Sequence, residues 1–324
     1  MNKKIVIWLL ATVSLATVSL ANAQQPKKVW RIGLFHVGLD HIPPSLEPLK
    51  EGMKALGYEE GRNIHLDWRN LPDEEAARVT AREFVRDRVD LIVAFESQTV
   101  RAAKAATSEI PVVFLHVSDP VTEGFVKSLS HPGGNLTGFI TWPISSGKQV
   151  ELFKELVPRL RRLLLLVDPQ DPLGPVWLGE VRQAGEALKL RMVEREATNQ
   201  ADIERVMRSV KAGEVDGILV PSQILRTNFT ALMIRLASEK RLPLAVHRKE
   251  WVEQGGLFSY AADLASVGRA AAPYVDKILK GAKPAELPAQ QANKFELVIN
   301  LKTAKQIGVT IPQSVLFRAD KVIK

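Results

Sequence analysis

The feature that most constrains the fold of this chain is the alternation of short apolar runs with segments of helical periodicity. Apolar runs at residues 30–35, 64–68, 91–95 and 112–115 are separated by segments in which apolar residues recur every three or four positions. This alternation is typical of βαβ units, whose strands form parallel sheets. After residues 136–141 a second series of the same kind begins. The sequence therefore predicts an α/β protein with two doubly wound, Rossmann-like lobes.

The first residues have the pattern of an export signal. Lys3 and Lys4 precede an apolar run over residues 5–20, and Ala21-Asn22-Ala23 forms a small-residue cleavage site. An uncleaved membrane anchor is the alternative. However, the run contains serines and threonines and falls short of the ~20 strongly apolar residues of a membrane span. We therefore expect cleavage after Ala23 and a periplasmic mature protein.

The composition excludes several classes of chemistry. The chain has no cysteine, which excludes disulfides, thiolate metal sites and a lipid-modified amino terminus. Its net charge is +8 at pH 7, but basic and acidic residues are interspersed, so we expect no nucleic-acid partner. Glycine-rich phosphate loops and a GxSxG nucleophile motif are absent, and a single pair, His247 with Glu250, comes near metal spacing. We therefore expect no cofactor, no metal and no enzymatic activity.

The most distinctive segment covers residues 111–138, PVVFLHVSDPVTEGFVKSLSHPGGNLTG. Three further segments follow near the C-terminus: YVDKILKG at 274–281, KFELVINLK at 294–302 and TIP at 310–312. Together they resemble a family of bacterial ABC-transporter substrate-binding proteins, some members of which bind tryptophan or tyrosine. The resemblance extends over nearly all of the chain that follows the signal.

This resemblance implies the type I periplasmic-binding-protein fold, in which a three-crossing hinge joins two lobes. We expect the crossings where proline, glycine and serine interrupt the pattern, near residues 142–147, 255–262 and 284–292. Lobe 1 would comprise residues 24–142 and about 262–288, and lobe 2 would comprise residues 143–261 and about 289–324. The signal would be residues 1–23.

The resemblance also implies a function. A monomer would capture a small ligand, such as an amino acid or a similar zwitterion, in the interlobe cleft and deliver it to an inner-membrane ABC permease with its ATPase. Two alternatives remain open. The sensor domain of a transcriptional regulator shares the architecture, but its helix-turn-helix would stand where this chain has an export signal. An exported α/β enzyme would need a nucleophile, a base and an orienting group, and it would convert its ligand rather than return it.

Candidate ligand-binding residues of the first lobe follow predicted strands, because open parallel sheets bind ligands at the carboxyl ends of their strands. Phe35 and His36 come at the end of the first strand, where they line a pocket or pack in the core. Glu96, Ser97 and Thr99 lead from a buried strand into a helix, whose amide groups and hydroxyls would receive a ligand carboxylate. Helix capping by Ser97 is the alternative. Relatives commonly carry small residues or glycine at this turn, so Glu96 is a departure that favours a cationic or amino group.

The next strand ends lead to the other candidates. Ser118 and Asp119 follow the fourth strand, and Asp119 is expected to pair with a ligand amine or, alternatively, to shape a turn ahead of Pro120. Thr141 and Trp142 lie at the first crossing, where Trp142 offers a stacking surface or braces the hinge. The second lobe contributes residues at its own strand ends, namely Asp168, Ser222, His247 and Tyr260. For Asp168, turn formation is the alternative.

Overall fold

The computed structural model describes residues 28–38, 42–141 and 146–324. Strands alternate with helices through most of this length, as the sequence predicts. The strands are β1 (Trp30–Val37), β2 (Ile64–Leu71), β3 (Leu91–Phe95), β4 (Val112–Val117), β5 (Leu136–Ile140), β6 (Arg162–Val167), β7 (Arg191–Glu196), β8 (Gly217–Leu219), β9 (Ala245–Val246), β10 (Phe258–Ala262), β11 (Gln290–Gln291), β12 (Phe295–Asn300) and β13 (Lys321–Ile323). The helices are α1 (Leu46–Ala55), α2 (Glu74–Arg86), α3 (Glu96–Ala106), α4 (Ser146–Leu156), α5 (Gly174–Ala187), α6 (Gln200–Ser209), α7 (Gln223–Glu239), α8 (Lys249–Glu253), α9 (Leu264–Leu279), α10 (Leu301–Gln306) and α11 (Gln313–Leu316).

The first sheet has six strands in the order β2-β1-β3-β4-β5-β11. Strand β1 is parallel to both β2 and β3, and β5 is parallel to β11. Every residue of β3 (LIVAF) and of β4 (VVFLHV) is buried, as expected for strands that helices cover on both faces. The strand order reverses at β1, so the switch point of this sheet lies between β1 and β3. Sheets of this kind bind ligands outside the carboxyl ends of the strands at such a point.

The second half repeats this arrangement. Strand β6 lies between β7 and β8 and is parallel to both. A parallel bridge between Ile218 and Leu244 continues from β8 toward β9, which belongs to a sheet of order β9-β10-β12-β13. In this sheet only β10 and β12, among the pairs formed by described residues, run antiparallel. The strand order reverses at β6, which gives a second switch point between β6 and β8.

The chain forms two compact units, each built from several segments. Unit 1 consists of the described part of Met1–Phe114 together with Phe125–Thr137 and Arg269–Pro288. Unit 2 consists of Leu115–Gly124, the described part of Gly138–Gly268, and Ala289–Lys324. The division passes through β4 and β5, so the carboxyl ends of these two strands are counted with unit 2.

Capping side chains explain where several helices begin. Asp73 precedes a run of helical periodicity, as a capping residue does, and its side chain accepts a hydrogen bond from the backbone N of Ala76 at 2.8 Å at the start of α2. Asn199 and Ser222 cap α6 and α7 in the same manner. The pattern of the sequence predicts a helix that begins near residue 228, but the cap at Ser222 allows α7 to begin at Gln223.

Other element boundaries also differ from the expectation. Strand β1 continues to Val37, so His36 lies within the strand and not after it. Residues 255–262, expected as a crossing, contain β10, whose pairing with β12 could not be read from the local pattern. The apolar run at residues 243–246 predicts a strand of four residues, but β9 is shorter because only Ala245 and Val246 pair with β10.

Candidate functional site

Backbone strain marks the carboxyl edge of the first sheet. Among the described residues, five that are not glycine have positive φ angles: Arg88, Glu96, His116, Lys189 and Arg241. The two arginines and the lysine lie two residues beyond the ends of α2, α7 and α5, where a left-handed residue commonly terminates a helix. Glu96 (φ 69°) and His116 (φ 63°) instead lie at the carboxyl ends of β3 and β4. Strained residues that no helix end explains cluster at functional sites.

Three polar side chains meet at the switch point of unit 1. His36 Nδ1 lies 3.2 Å from Asn70 Oδ1, and His36 Nε2 lies 3.6 Å from Glu96 Oε1. His36 is fully buried, and Glu96 is 5% exposed. Because a buried carboxylate is costly unless polar groups surround it, the imidazole next to Glu96 helps to explain why this acid is tolerated here. Sequence reasoning missed Asn70, which the parallel register places opposite His36.

The two hydroxyl residues that follow Glu96 differ in their roles. Helix α3 begins at Glu96, with Phe95 at the capping position and no capping bond from a side chain. The alternative that Ser97 caps this helix is therefore wrong, and Ser97 lies buried in the first turn. Thr99 Oγ1 donates to the carbonyl oxygen of Phe95 at 2.6 Å, so its only proton is used within the helix.

Phe35 and Thr141 both make contacts within the fold. Phe35 is fully buried, and its ring meets the ring of Phe84 edge-on with centroids 5.5 Å apart. The backbone N of Thr141 donates to the carbonyl oxygen of Val117 at 3.1 Å, and the residue is half-buried. Trp142 lies outside the described residues.

Ser118 and Asp119 follow β4 in a short turn. Asp119 Oδ1 accepts hydrogen bonds from the backbone N of Val121 at 3.1 Å and of Thr122 at 3.0 Å, and Oδ2 accepts from Thr122 Oγ1 at 2.7 Å. These bonds favour the turn-forming interpretation of Asp119. The hydroxyl of Ser118 donates to Gln223 Oε1 at 3.3 Å.

At the switch point of unit 2, Ser222 is hydrogen-bonded to Asp171. Asp171 Oδ2 accepts from Ser222 Oγ at 2.9 Å and from the backbone N of Gln223 at 2.6 Å. Ser222 Oγ in turn accepts from the backbone N of Leu225 at 3.4 Å. Asp168 is buried, and its Oδ1 accepts from the backbone N of Gln170 at 2.9 Å, as expected of a turn residue. Both acids and Ser222 are thus tied to the local backbone.

The remaining candidates of unit 2 lie on later strands. His247 is half-buried and follows β9 directly. Tyr260 lies in β10, half-buried, with its ring centroid 6.1 Å from that of Phe295. One turn into α7, Arg226 is 8% exposed and lies over the Trp177 ring, with the guanidinium carbon 4.7 Å from the ring centroid. Sequence reasoning missed Arg226, because nothing in the local pattern distinguishes it from a solvated helical arginine.

Neither a group of metal ligands nor a membrane-spanning helix is found among the described residues. Within residues 28–38, 42–141 and 146–324, no three histidine, aspartate or glutamate side chains are grouped so that they could hold a metal ion. Over the same ranges no helix has the length and apolar character needed to cross a membrane.

The family model for ABC transporter substrate-binding proteins matches residues 36–323 of this chain. The chain belongs to this family. A tyrosine-binding protein from Clostridioides difficile is 28% identical to this substrate-binding protein over 288 residues, which cover 87% of this chain and 82% of the relative.

Solved structures of similar proteins agree with this assignment. A conserved domain protein from Vibrio cholerae has a TM-score of 0.82 at 30% identity, covering 91% of this chain and 100% of its own. The ABC domain in complex with L-Trp from Streptococcus pneumonia has a TM-score of 0.80 at 25% identity, with the same coverage. The predicted α/β fold of the type I periplasmic-binding class is therefore confirmed.

Proteins of this family also share their type of partner and their usual compartment. Proteins of the family bind small molecules and work with an ABC permease. They are typically periplasmic or otherwise exported.

Proposed function

We propose that this protein is the exported substrate-binding component of an ABC importer, and that its ligand is an amino acid or a similar small zwitterion. A monomer would bind the ligand with groups from both lobes and deliver it unchanged to the permease and its ATPase. The observation that carries this proposal is the family match over residues 36–323. Two relatives support the ligand class, because one is named for tyrosine binding and another was solved with L-Trp.

The switch point of unit 1 supports a ligand that carries an amine. Glu96 places a buried carboxylate in the first turn of α3, at the point where this fold class binds ligands. A negative charge there opposes a ligand carboxylate and attracts an ammonium group. We propose that the ammonium group lies against Glu96 and that His36 and Asn70 hold this carboxylate in position.

The strained backbone of Glu96 agrees with this role. A left-handed conformation costs a residue other than glycine roughly 1–2 kcal/mol. Glycine would avoid that cost. The presence of glutamate at φ 69° is consistent with a benefit from its carboxylate that exceeds the strain.

A binding screen tests the proposed function. The purified protein is exposed to each proteinogenic amino acid, and thermal shift followed by calorimetric titration measures binding. We expect at least one amino acid to raise the melting temperature and to be recovered chemically unchanged. A ligand that is consumed would instead support the enzymatic alternative, and the absence of any binding would contradict the proposal.

Export has a separate test, because its residues precede the described part of the chain. The full-length gene product is expressed in a Gram-negative host, and the periplasmic fraction is examined by intact-mass spectrometry. We expect a chain that begins at Gln24, after cleavage at Ala23. A product that retains Met1 and sediments with membranes would contradict the proposal.

A further inference from the structure

Basic side chains are concentrated in unit 2 where α4 leads into β6. We call them the basic patch, and its members are Lys154, Arg159, Arg161 and Arg162. Lys154 Nζ donates to the carbonyl oxygens of Pro158 at 2.7 Å and of Leu160 at 2.8 Å. Arg161 Nη1 donates to the same two carbonyl oxygens, at 3.3 and 3.2 Å. Two cationic groups therefore lie side by side on one pair of acceptors.

The two cations are close enough for their charges to repel each other. Burial lowers the pKa of the Lys154 ammonium, the charge of Arg161 lowers it further, and the charge of Asp216 acts in the opposite direction. Asp216 is already engaged, because its Oδ1 lies 2.8 Å from Arg162 Nη2 and its Oδ2 accepts from the backbone N of Arg161 and Arg162. Among the residues that the structure describes, Arg162 is the one member of the patch that forms an ion pair.

The patch therefore carries a net positive charge at the surface. Arg159 and Arg161 are both exposed, and Arg159 Nη2 donates to the carbonyl oxygen of Gly308 at 3.1 Å. A guanidinium group has five N–H donors, and each of these two arginines uses only one of its three nitrogen atoms within the described part of the fold. The remaining donors suit the oxygens of a phosphate group, which arginine binds in a planar, bidentate manner.

A strongly exposed aromatic residue lies beside the patch. Phe317 follows α11 directly and is 87% exposed, the highest value for a large apolar side chain in the described ranges. The next residue, Arg318, forms an ion pair with Glu155 near the end of α4. Together with the bond from Arg159 to Gly308, this ion pair holds the segment that carries Phe317 against the end of α4. An apolar side chain and several cations thus occupy one region of unit 2.

We infer that the basic patch and Phe317 form a surface that binds an anionic phospholipid bilayer. Lysine and arginine attract phosphate-bearing head groups, and the phenylalanine ring enters the boundary between head groups and acyl chains. One apolar anchor among several cations differs from a protein interface, whose centre is a wider apolar area with a polar rim. The inference rests on the export in the proposed function and does not depend on the ligand class. Reversible binding of this kind would keep the exported protein close to the membrane that holds its permease.

The competing interpretations are an ordinary solvated surface and a docking surface for an acidic protein. Arg159→Gln combined with Arg161→Gln removes two cations of the patch and no apolar residue. Phe317→Ser removes the anchor without changing the charge, and it remains informative if the double variant does not fold, because Phe317 is so exposed. The matched control is Lys54→Gln combined with Arg82→Gln, which removes two exposed cations of unit 1.

The experiment measures binding to lipid vesicles by sedimentation. The protein recovered from the periplasm is mixed with vesicles of phosphatidylcholine alone or of phosphatidylcholine and phosphatidylglycerol in equal parts. We expect binding to the anionic vesicles only, and a decrease as salt is added. Each cation near such a surface contributes about fivefold, so the double arginine variant should bind about 25-fold more weakly. Phe317→Ser should bind about tenfold more weakly, because its ring no longer leaves water, and the control should remain close to the wild type.

Three outcomes overturn the inference. The first is a wild-type protein that binds both kinds of vesicle equally or binds neither. The second is a loss in the unit 1 control as large as in the double arginine variant, which would indicate a general attraction by net charge. The third is binding to soluble polyglutamate but not to vesicles, which would favour an acidic protein partner. Circular dichroism and amino acid binding, measured on every variant, should match the wild type, so the proposed function is tested separately. Failure of the wild type to bind any amino acid would contradict the proposed function but not the lipid surface.

Discussion

At the scale of single residues, the strand-end side chains differ in how much of their hydrogen-bonding capacity the fold already uses. The hydroxyls of Thr99 and Ser222 donate their only protons to Phe95 O and to Asp171 Oδ2. A ligand that needs those protons would have to break bonds within the fold, each of which contributes about 0.5–1.5 kcal/mol. Thr99 and Ser222 are therefore weak candidates for donating a hydrogen bond to a ligand.

Asp119 provides the first residue-scale prediction. Its carboxylate accepts three hydrogen bonds within its own turn, so Asp119→Ala leaves those donors without their acceptor. We expect a loss of about 1.5–3 kcal/mol in the free energy of unfolding, the range for hydrogen bonds to charged groups, with ligand affinity nearly unchanged. Urea denaturation beside calorimetric titration measures both. Asp119→Asn keeps an acceptor at Oδ1 and serves as the control. A fall in affinity without a fall in stability would instead favour the ligand-amine interpretation.

Glu96 provides the second residue-scale prediction. Replacement by glycine and by alanine removes the same carboxylate, so the difference between the two variants isolates the backbone conformation at φ 69°. We expect the glycine variant to be more stable than the alanine variant by about 1 kcal/mol, because a left-handed conformation penalises any residue with a Cβ. At an ordinary helical position, the alanine variant would be the more stable of the two. Thermal melts of the pair measure the difference, and a more stable alanine variant would contradict the strained assignment.

At the scale of elements, the close approach of α2 to β1 depends on a glycine. A Cβ atom added at Gly33 would come within 2.7 Å of a ring carbon of Phe84, which is 1% exposed and meets Phe35 edge-on. Helix α2 can therefore pack on this part of the sheet only because β1 has no side chain at that position. Phe35 in turn belongs to the contact that holds the helix.

Gly33→Ala tests this packing. We expect it to lower the free energy of unfolding by about 1–3 kcal/mol, the usual cost of overpacking a core, because the ring of Phe84 must move. Chemical denaturation of the full chain provides the measurement. Gly134→Ala is the control, since a Cβ at Gly134 meets nothing within 4 Å. Equal stability of the two variants would show that α2 can shift at little cost.

At the scale of the whole molecule, side-chain contacts between segments that are separated in sequence stabilise each unit. Within unit 1, Tyr58 Oη donates to Asp276 Oδ1 at 2.9 Å across 218 positions of sequence. Within unit 2, Lys294 Nζ lies 3.0 Å from Asp263 Oδ2, and Asp263 Oδ1 also accepts from the backbone N of Ala265 and Ser266. Such bonds form only in the folded protein, so they stabilise the folded state of each unit.

Asp263 makes part of this stability depend on pH. Burial raises the pKa of its carboxyl, but the hydrogen bonds and charges of its neighbours, Lys294 first, outweigh burial and hold the pKa below its usual value. The stabilisation is therefore complete above the pKa of the unfolded chain, about 3.9, and is lost as the pH falls through the lower pKa of the folded protein. Asp263→Asn should accordingly reduce the melting temperature most near neutral pH.

Melting curves of the wild type and Asp263→Asn between pH 7 and about 3 check this dependence. We expect the difference between the two melting temperatures to be constant at neutral pH and to shrink as the solution becomes strongly acidic. A difference that does not change with pH would show that the carboxylate charge contributes nothing. Lys302→Gln, a change at an exposed lysine, controls for the loss of a surface charge.

The sequence alone determined the class of fold and most of its elements, because each element is encoded by a local pattern of burial. Strands such as β3 and β4 are wholly buried, so their apolar runs are visible without any partner. Asp73 could likewise be identified as a cap, because its bond joins residues three positions apart. The strand ends where ligands bind in this fold class follow from the same pattern, and they include Glu96 and His36.

What each strand-end side chain does was decided only by the tertiary structure. His36 meets Asn70 across 34 positions, and Ser222 meets Asp171 across 51, through a parallel register that no local pattern contains. Arg226 resembles any helical arginine until the packing of α5 against its guanidinium removes it from water. The physical reason is that burial and hydrogen-bond partners depend on neighbours distant in sequence. A hydroxyl with one proton, or a carboxylate with four acceptor sites, is available to a ligand only if those neighbours leave it so.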